Sequence, residues 1–296
     1  MLLLRLLPSS GVAFLTIVAS CLGGLPPRLS AADAPELFAF DNGVGRSAWS
    51  GERQAATLRE LGYQGITYNY TNPEDMATRL AAIQQAGLRM YGLYAPARLG
   101  QEETFAPGLA ETVRALRGSG AVLWLIVPKP AQAGNYDAEV VQKIQAAADL
   151  AASAGLRVVL YPHKGFFVAD VEHAYRLAVT AQRANVGVTF NLCHELAAGN
   201  GARLPAILRQ VAPLLQMVSL NGATDKPGGT WDDFIQVLGQ GQYDVAALLR
   251  TLREVNYRGP IGLQFYNVKG DPYANLSHSM IAWRSLNKGI WSSPDR

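Results

Sequence analysis

Two histidines stand out in the second half of the chain, each at the end of a short apolar run. His163 closes RVVLYPH (157–163) and His194 closes VGVTFNLCH (186–194). Imidazole titrates near neutral pH, so histidines brought together can take a proton and return it. Four such runs carry polar side chains near their ends at a spacing of two: Tyr161 with His163, Thr189 with Asn191, Ser219 with Asn221, and Gln264 with Tyr266. A polar group there is expensive to bury unpaired, so each belongs to a hydrogen-bonded network or meets a ligand. Lys129, within VPKP, and Lys164, directly after His163, are the nearby cations, while Asp41 and Tyr94 close other runs. Cys193 has no adjacent base motif and reads as a buried small hydrophobe. His173 and His278 lack a place at the end of an apolar run and read as structural.

These residues need a scaffold that carries several strand ends to one place. Eight short apolar runs recur from residue 37 onward: 37–43, 65–70, 89–95, 122–128, 157–163, 186–194, 216–222 and 260–266. Between them lie stretches rich in Ala, Leu, Gln, Glu and Arg, such as RQAATLRELG and VVQKIQAAADLAASAG, which read as amphipathic helices. Gly62, Gly87 and Gly155 stand where a helix ends in a left-handed residue before the next strand. Regular alternation implies parallel strands, and eight units in about 250 residues fit a closed (β/α)8 barrel, an α/β fold of one domain over residues 33–296. The runner-up is a doubly wound dinucleotide binder, because Gly43–Ala48 (GVGRSA) matches G-x-G-x-x-A after the first strand. That match lacks its acidic partner, since GITYNY carries no carboxylate for a ribose. In a barrel, function sits at the carboxyl ends of the strands, and strand alternation sends one parity of residues inward.

Of 296 residues, 49% are hydrophobic and 17% charged, which excludes a disordered or collagenous chain. Lys and Arg total 26 against 23 Asp and Glu, and no basic face argues for nucleic acid. The first 32 residues read as a secretory signal: Arg5, then the apolar run GVAFLTIVASCLGGL, then the small residues before Asp33, with cleavage after Ala32. The run is too short and Gly-rich for a membrane span, so none is expected in the mature chain. Cys21 in VASC also resembles a lipoprotein cleavage box. After cleavage at Ala32 only Cys193 remains, so a periplasmic or secreted mature chain has no internal disulfide.

The succession L-Y-P-H (160–163), F-N-L-C-H (190–194), V-S-L-N (218–221), G-Q-G-Q-Y-D (239–244) and I-G-L-Q (261–264) resembles the xylose isomerase-like sugar isomerase/epimerase superfamily, which also holds endonuclease IV-like proteins. The likeness runs from about residue 37 to 288 and implies a TIM barrel whose relatives interconvert ketoses or aldoses by metal-assisted proton transfer. The family's usual ligands are a Glu, an Asp, a His and a Glu on strands five to eight. Here those positions carry Tyr161, Asn191, Ser219 and Gln264. None is a strong ligand for a divalent cation, yet Asn and Gln are near-isosteres of Asp and Glu. The pattern suggests a pocket kept in shape while its metal was dropped, and no metal or cofactor is expected.

The resemblance and the residues together suggest an exported isomerase- or epimerase-like protein acting on a free sugar or glycoside. His163 and His194 would be the acid and base, and Tyr161, Asn191, Asn221 and Gln264 would hold the substrate. Lys129 or Lys164 would contact it and supply positive charge for a developing enolate. Two alternatives stand beside this: a non-catalytic carbohydrate-binding barrel, and a metal enzyme that recruits its ion through His163 and His194 alone. In each case the partner is a small carbohydrate, and export disfavours a sugar phosphate. Loops 96–107 and 222–241 would select it.

Overall fold

Each of the eight apolar runs forms a strand in the structure, a computed structural model that describes residues 34–291. The strands are β1 (Leu37–Phe40), β2 (Gly65–Asn69), β3 (Arg89–Pro96), β4 (Val122–Ile126), β5 (Arg157–Leu160), β6 (Val186–Asn191), β7 (Leu215–Leu220) and β8 (Ile261–Leu263). All neighbours run parallel, and β1 pairs with both β2 and β8, so the sheet closes on itself. Closure disposes of the dinucleotide-binding alternative. The GVGRSA segment folds instead as two short 3-10 turns, 41–43 and 46–48, on the rim of the barrel. The expected signal segment, with Cys21 and the cleavage point after Ala32, lies outside the described residues.

The helices follow the chain order: α1 (Gly51–Leu61), α2 (Pro73–Gln85), α3 (Leu109–Ala115), α4 (Asp137–Ser153), α5 (Val171–Ala181), α6 (Leu192–Ala197), α7 (Leu204–Val211), α8 (Trp231–Phe234), α9 (Val245–Glu254) and α10 (Pro272–Trp291). Side-chain caps start several of them: Asn72 accepts from Asp75 N at 2.9 Å, and Asp170 from His173 N at 2.8 Å. Gly62, Gly87 and Gly155 are all left-handed, at φ 91°, 67° and 70°. No helix among the described residues is long and apolar enough to cross a membrane.

Strand alternation divides the apolar residues into two layers. Leu123, Leu125, Val158, Leu160, Val188, Phe190, Val218 and Leu220 face outward and bury against the helices. Phe38, Phe40, Tyr91, Trp124, Val159, Tyr161 and Met217 face inward and fill the barrel with rings. Phe38 stacks on Tyr91 at 4.7 Å, and Trp124 meets Tyr161 edge-on at 4.9 Å. This crowding needs a small residue on the neighbouring strand. A Cβ at Gly262 of β8 would stand 2.5 Å from the Phe38 ring and 2.6 Å from that of Phe40. Thr189 of β6 is fully buried in the same interior and takes the Trp124 Nε1–H. The rings thus form a solid plug, and the site rests on top of it.

Candidate functional site

Above the plug, at the carboxyl ends of the strands, lies a cavity of about 250 Å³. Its lining comes from two sides. His163, after β5, and His194, on α6 after β6, join Trp231 of α8; Asp41, Asn42 and Arg46, after β1, join Asn69 of β2. β1 and β5 are four strands apart around a ring of eight, so the two groups face one another. Tyr161 and Trp124 reach the cavity from below, and Tyr266, half exposed, stands at its mouth.

The two histidines are brought together, with ring centroids 4.0 Å apart. His163 stacks on Phe166 at 4.1 Å, and His194 meets Trp231 edge-on at 5.3 Å. Their ring nitrogens are held by the main chain of one residue. His163 Nδ1 lies 2.9 Å from the Lys164 carbonyl, and the Lys164 N–H lies 3.2 Å from His194 Nδ1. A carbonyl only accepts and an N–H only donates, so His163 carries its proton on Nδ1 and His194 carries none there. His163 Nε2 is left as a base and His194 Nε2–H as a donor. Burial lowers the basicity of both, and for His194 the neighbouring His163 adds to the effect, so both rings stay neutral at pH 7.

Beneath them, Tyr161 is the centre of an amide network. Its hydroxyl oxygen accepts from Asn191 Nδ2 and, at 3.3 Å, from Gln264 Nε2. The amide oxygens are also engaged. Asn191 Oδ1 takes the Cys193 thiol at 3.1 Å; Gln264 Oε1 takes Asn42 Nδ2 and the main-chain N–H groups of Phe265 and Tyr266 at 2.9 and 3.0 Å. Burial pushes the Tyr161 phenol and the Cys193 thiol well up, so both keep their hydrogens. With two donors on its oxygen, Tyr161 retains one hydrogen to give.

Across the cavity, Asp41 is nearly buried, which raises its pKa, while Arg46 at 3.7 Å and Asn69 Nδ2 at 3.2 Å oppose that rise. Behind His194, Glu195 is fully buried and accepts from Val171 N and Asn200 Nδ2, both at 2.7 Å. Burial pushes it up to about 7.

Residues 55–286 match the family described as xylose isomerase-like TIM barrel. The chain belongs to that family. Among solved structures with the same fold, a 3-keto-D-glucoside 4-epimerase from E. coli is 18% identical with a TM-score of 0.67, over 85% of this chain and 99% of that one. A D-allulose 3-epimerase from Methylomonas sp., in complex with D-allulose, is 17% identical with a TM-score of 0.67, over 86% and 98%. A fusion of a xylose isomerase-like TIM barrel with 4-hydroxyphenylpyruvate dioxygenase is 15% identical with a TM-score of 0.69; it matches over 87% of this chain, which spans only 43% of the fusion. No curated protein matches the chain by sequence.

The divalent metal expected of this family does not fit the residues present. Tyr161, Asn191 and Gln264, at three of the four positions that the resemblance assigns to ligands, are joined by hydrogen bonds, and the neutral phenol lies between the two amides. The fourth, Ser219, is buried with its hydroxyl unpartnered among the described residues, and one hydroxyl makes no ligand set. The histidine pair offers a single bare nitrogen, His163 Nε2, because His194 Nδ1 accepts from the Lys164 N–H, and no group of three His, Cys, Asp or Glu among the described residues is arranged to hold an ion.

Several expected site residues lie elsewhere in this xylose isomerase-like barrel. Asn191 sits under Tyr161 and supports it instead of lining the cavity. Asn221 donates to the carbonyls of Gly222 and Phe234 at 2.6 and 2.7 Å, so it fastens the loop after β7. The Lys164 side chain is exposed, and its contribution is its main chain. Lys129 lines a different cleft, shared with Arg98 and Tyr136. His173 is tied to Asp137 Oδ1 at 3.0 Å between α5 and α4. Sequence reasoning passed over Arg46, Asn69 and Trp231. The first was hidden inside the GVGRSA turn, and the last lies in a Gly-rich loop whose conformation sequence leaves open.

Proposed function

We propose that this chain is an exported, sugar isomerase- or epimerase-like protein that moves a proton on a free sugar or glycoside through its histidine pair, without a tightly held metal. The observation that carries this reading is the fixed, opposite arrangement of the two imidazoles. His163 Nε2 takes the proton from the carbon next to a carbonyl, and His194 Nε2–H holds the carbonyl oxygen. The Tyr161 hydroxyl gives its remaining hydrogen to a neighbouring oxygen of the sugar, and the Gln264 amide keeps that hydroxyl in place. Trp231 and Tyr266 offer apolar faces for the C–H side of a ring, and Asp41 and Asn69 meet hydroxyls. The cavity suits one sugar ring, and the names of the epimerases that share the fold agree with a sugar ligand.

The test is carbon-bound hydrogen exchange in deuterated water, followed by NMR over D-allulose, D-fructose, D-glucose and a 3-keto-glucoside. Exchange into at least one of them is expected, with His163→Gln lowering the rate at least 100-fold while the sugar still shifts the melting temperature. A thermal shift with no exchange anywhere supports instead the non-catalytic carbohydrate binder. Absence of both overturns the sugar reading. Export is tested by the mass of the protein recovered outside the cytoplasm, which should correspond to cleavage after Ala32.

A further inference from the structure

Removing a proton beside a carbonyl leaves a negative charge on oxygen, and a neutral imidazole donor alone compensates little of it. The lysines expected to supply a positive charge, Lys129 and Lys164, do not line the cavity. Of the described residues that line it, Arg46 alone has a side chain that is always cationic.

The backbone is shaped to put it there. Arg46 has φ 35°, a left-handed value that disfavours any residue with a Cβ, and it follows Gly45 at φ 64°. A fully buried side chain fixes this turn: Gln54 Nε2 donates to the carbonyls of Val44 at 2.8 Å and Arg46 at 3.0 Å. Gln54 Oε1 is held in turn by the Tyr68 hydroxyl at 2.8 Å and Arg79 Nη1 at 3.2 Å. The guanidinium is left for use. Its ion pair with Asp41 is long, at 3.7 Å, and among the described residues its side chain makes no hydrogen bond. Asp41 balances its charge in the resting site without occupying its donors.

We propose that Arg46 is a catalytic residue that takes the electrostatic role of a metal: its N–H groups hold the oxyanion of an enediolate formed in the cavity. The inference rests on the proton-transfer reading above. In the step, the C–H electron pair becomes the carbon–carbon double bond, the carbonyl π pair moves onto oxygen, and the proton goes to His163 Nε2. Return of that proton to the carbon it left restores the original carbonyl; its return to the former carbonyl carbon, with the hydroxyl hydrogen passing from the second oxygen to the first, gives the isomer, and nothing is oxidised or reduced overall.

The test compares wild type, Arg46→Gln and Arg46→Lys, each first shown to be folded by its melting curve. Two probes are used at a pH where the hydroxamic acid is ionised: threonohydroxamate, there an anionic stand-in for a four-carbon enediolate, and erythrulose, its neutral counterpart. Wild type should bind the hydroxamate at least 10-fold more tightly than erythrulose. Arg46→Gln should lose that preference and at least 100-fold in exchange rate, with erythrulose affinity within threefold of wild type. Arg46→Lys, which keeps the charge but not the fork, should recover part of both. A wild type with exchange and preference, together with an Arg46→Gln variant that keeps them, overturns the role of Arg46 alone. A wild type that exchanges neither erythrulose nor any of the four sugars above overturns the proton-transfer reading itself.

Discussion

His163 and His194 stand 4.0 Å apart with opposite nitrogens protonated, because the carbonyl of Lys164 faces one ring and its N–H faces the other. Two equivalent imidazoles would compete for one role. A pair fixed this way presents one bare nitrogen and one N–H before any ligand arrives, the division that the proposed proton transfer needs. The assignment is visible by nitrogen NMR on histidine-labelled protein. At pH 7.5 His163 should show the Nδ1–H tautomer and His194 the Nε2–H tautomer. Since burial lowers both, neither should titrate until the pH is below about 6.5, the value of a free imidazole. Rapidly exchanging tautomers in either ring would contradict the clamp.

Glu195 gives stability an opposite pH dependence. Its folded pKa, about 7, lies above its ordinary value near 4.5, so the fold favours the neutral carboxyl. The stabilisation is complete below pH 4.5 and is lost as the pH rises through about 7, on the order of 3 kcal/mol over the interval. Glu195→Gln should therefore melt higher than wild type at pH 8, and the gap should close toward pH 5. Parallel melting curves across that range would show that Glu195 is ionised throughout.

Tyr161→Phe tests the plug beneath the cavity. The change keeps the ring packing against Trp124 and Phe40 but leaves the amide N–H groups of Asn191 and Gln264 without their acceptor. Unfolding by denaturant should show a loss of about 2 kcal/mol. A neutral result would mean that the two amides find other partners.

Gly262→Ala tests the ring-filled interior. The added methyl lies within van der Waals reach of two fully or nearly buried rings, Phe38 and Phe40, and these cannot turn aside without disturbing Tyr91 and Trp124. Overpacking of this kind costs about 1–3 kcal/mol, measured as a lower midpoint in denaturant with an unchanged slope.

The barrel was legible in the sequence because its period is coarse and redundant. Eight apolar runs alternate with eight helical stretches, and a weak signal at β8, three residues long, is rescued by its neighbours. The parity of Tyr161, Asn191, Ser219 and Gln264 was legible for the same reason, since strand geometry allows two directions only. What each then touches was not. Asn191 and Asn221 have the same side chain and the same strand-end place, yet one supports a phenol and the other ties down a loop. The Lys164 clamp has no side-chain signature at all. Arg46 was obscured because a G-x-G-x-x-A string reads as a phosphate turn, while its value here lies in the residue after the second glycine.

The loop after β7 leaves and re-enters the barrel through one gate: Gly222 and Gln236 exchange both main-chain hydrogen bonds, at 3.0 and 2.7 Å. The stretch between them, Trp231 included, forms a closed hoop that is anchored in the core by Ala223, Phe234 and Ile235. A hoop fastened at its neck can change in length or content while the strands keep their register, since doubling a flexible loop costs only about 0.6 kcal/mol. Evolution therefore has, on this side of the cavity, an interchangeable part, and new ligand preferences can arise by exchanging the hoop while the eight strands stay as they are.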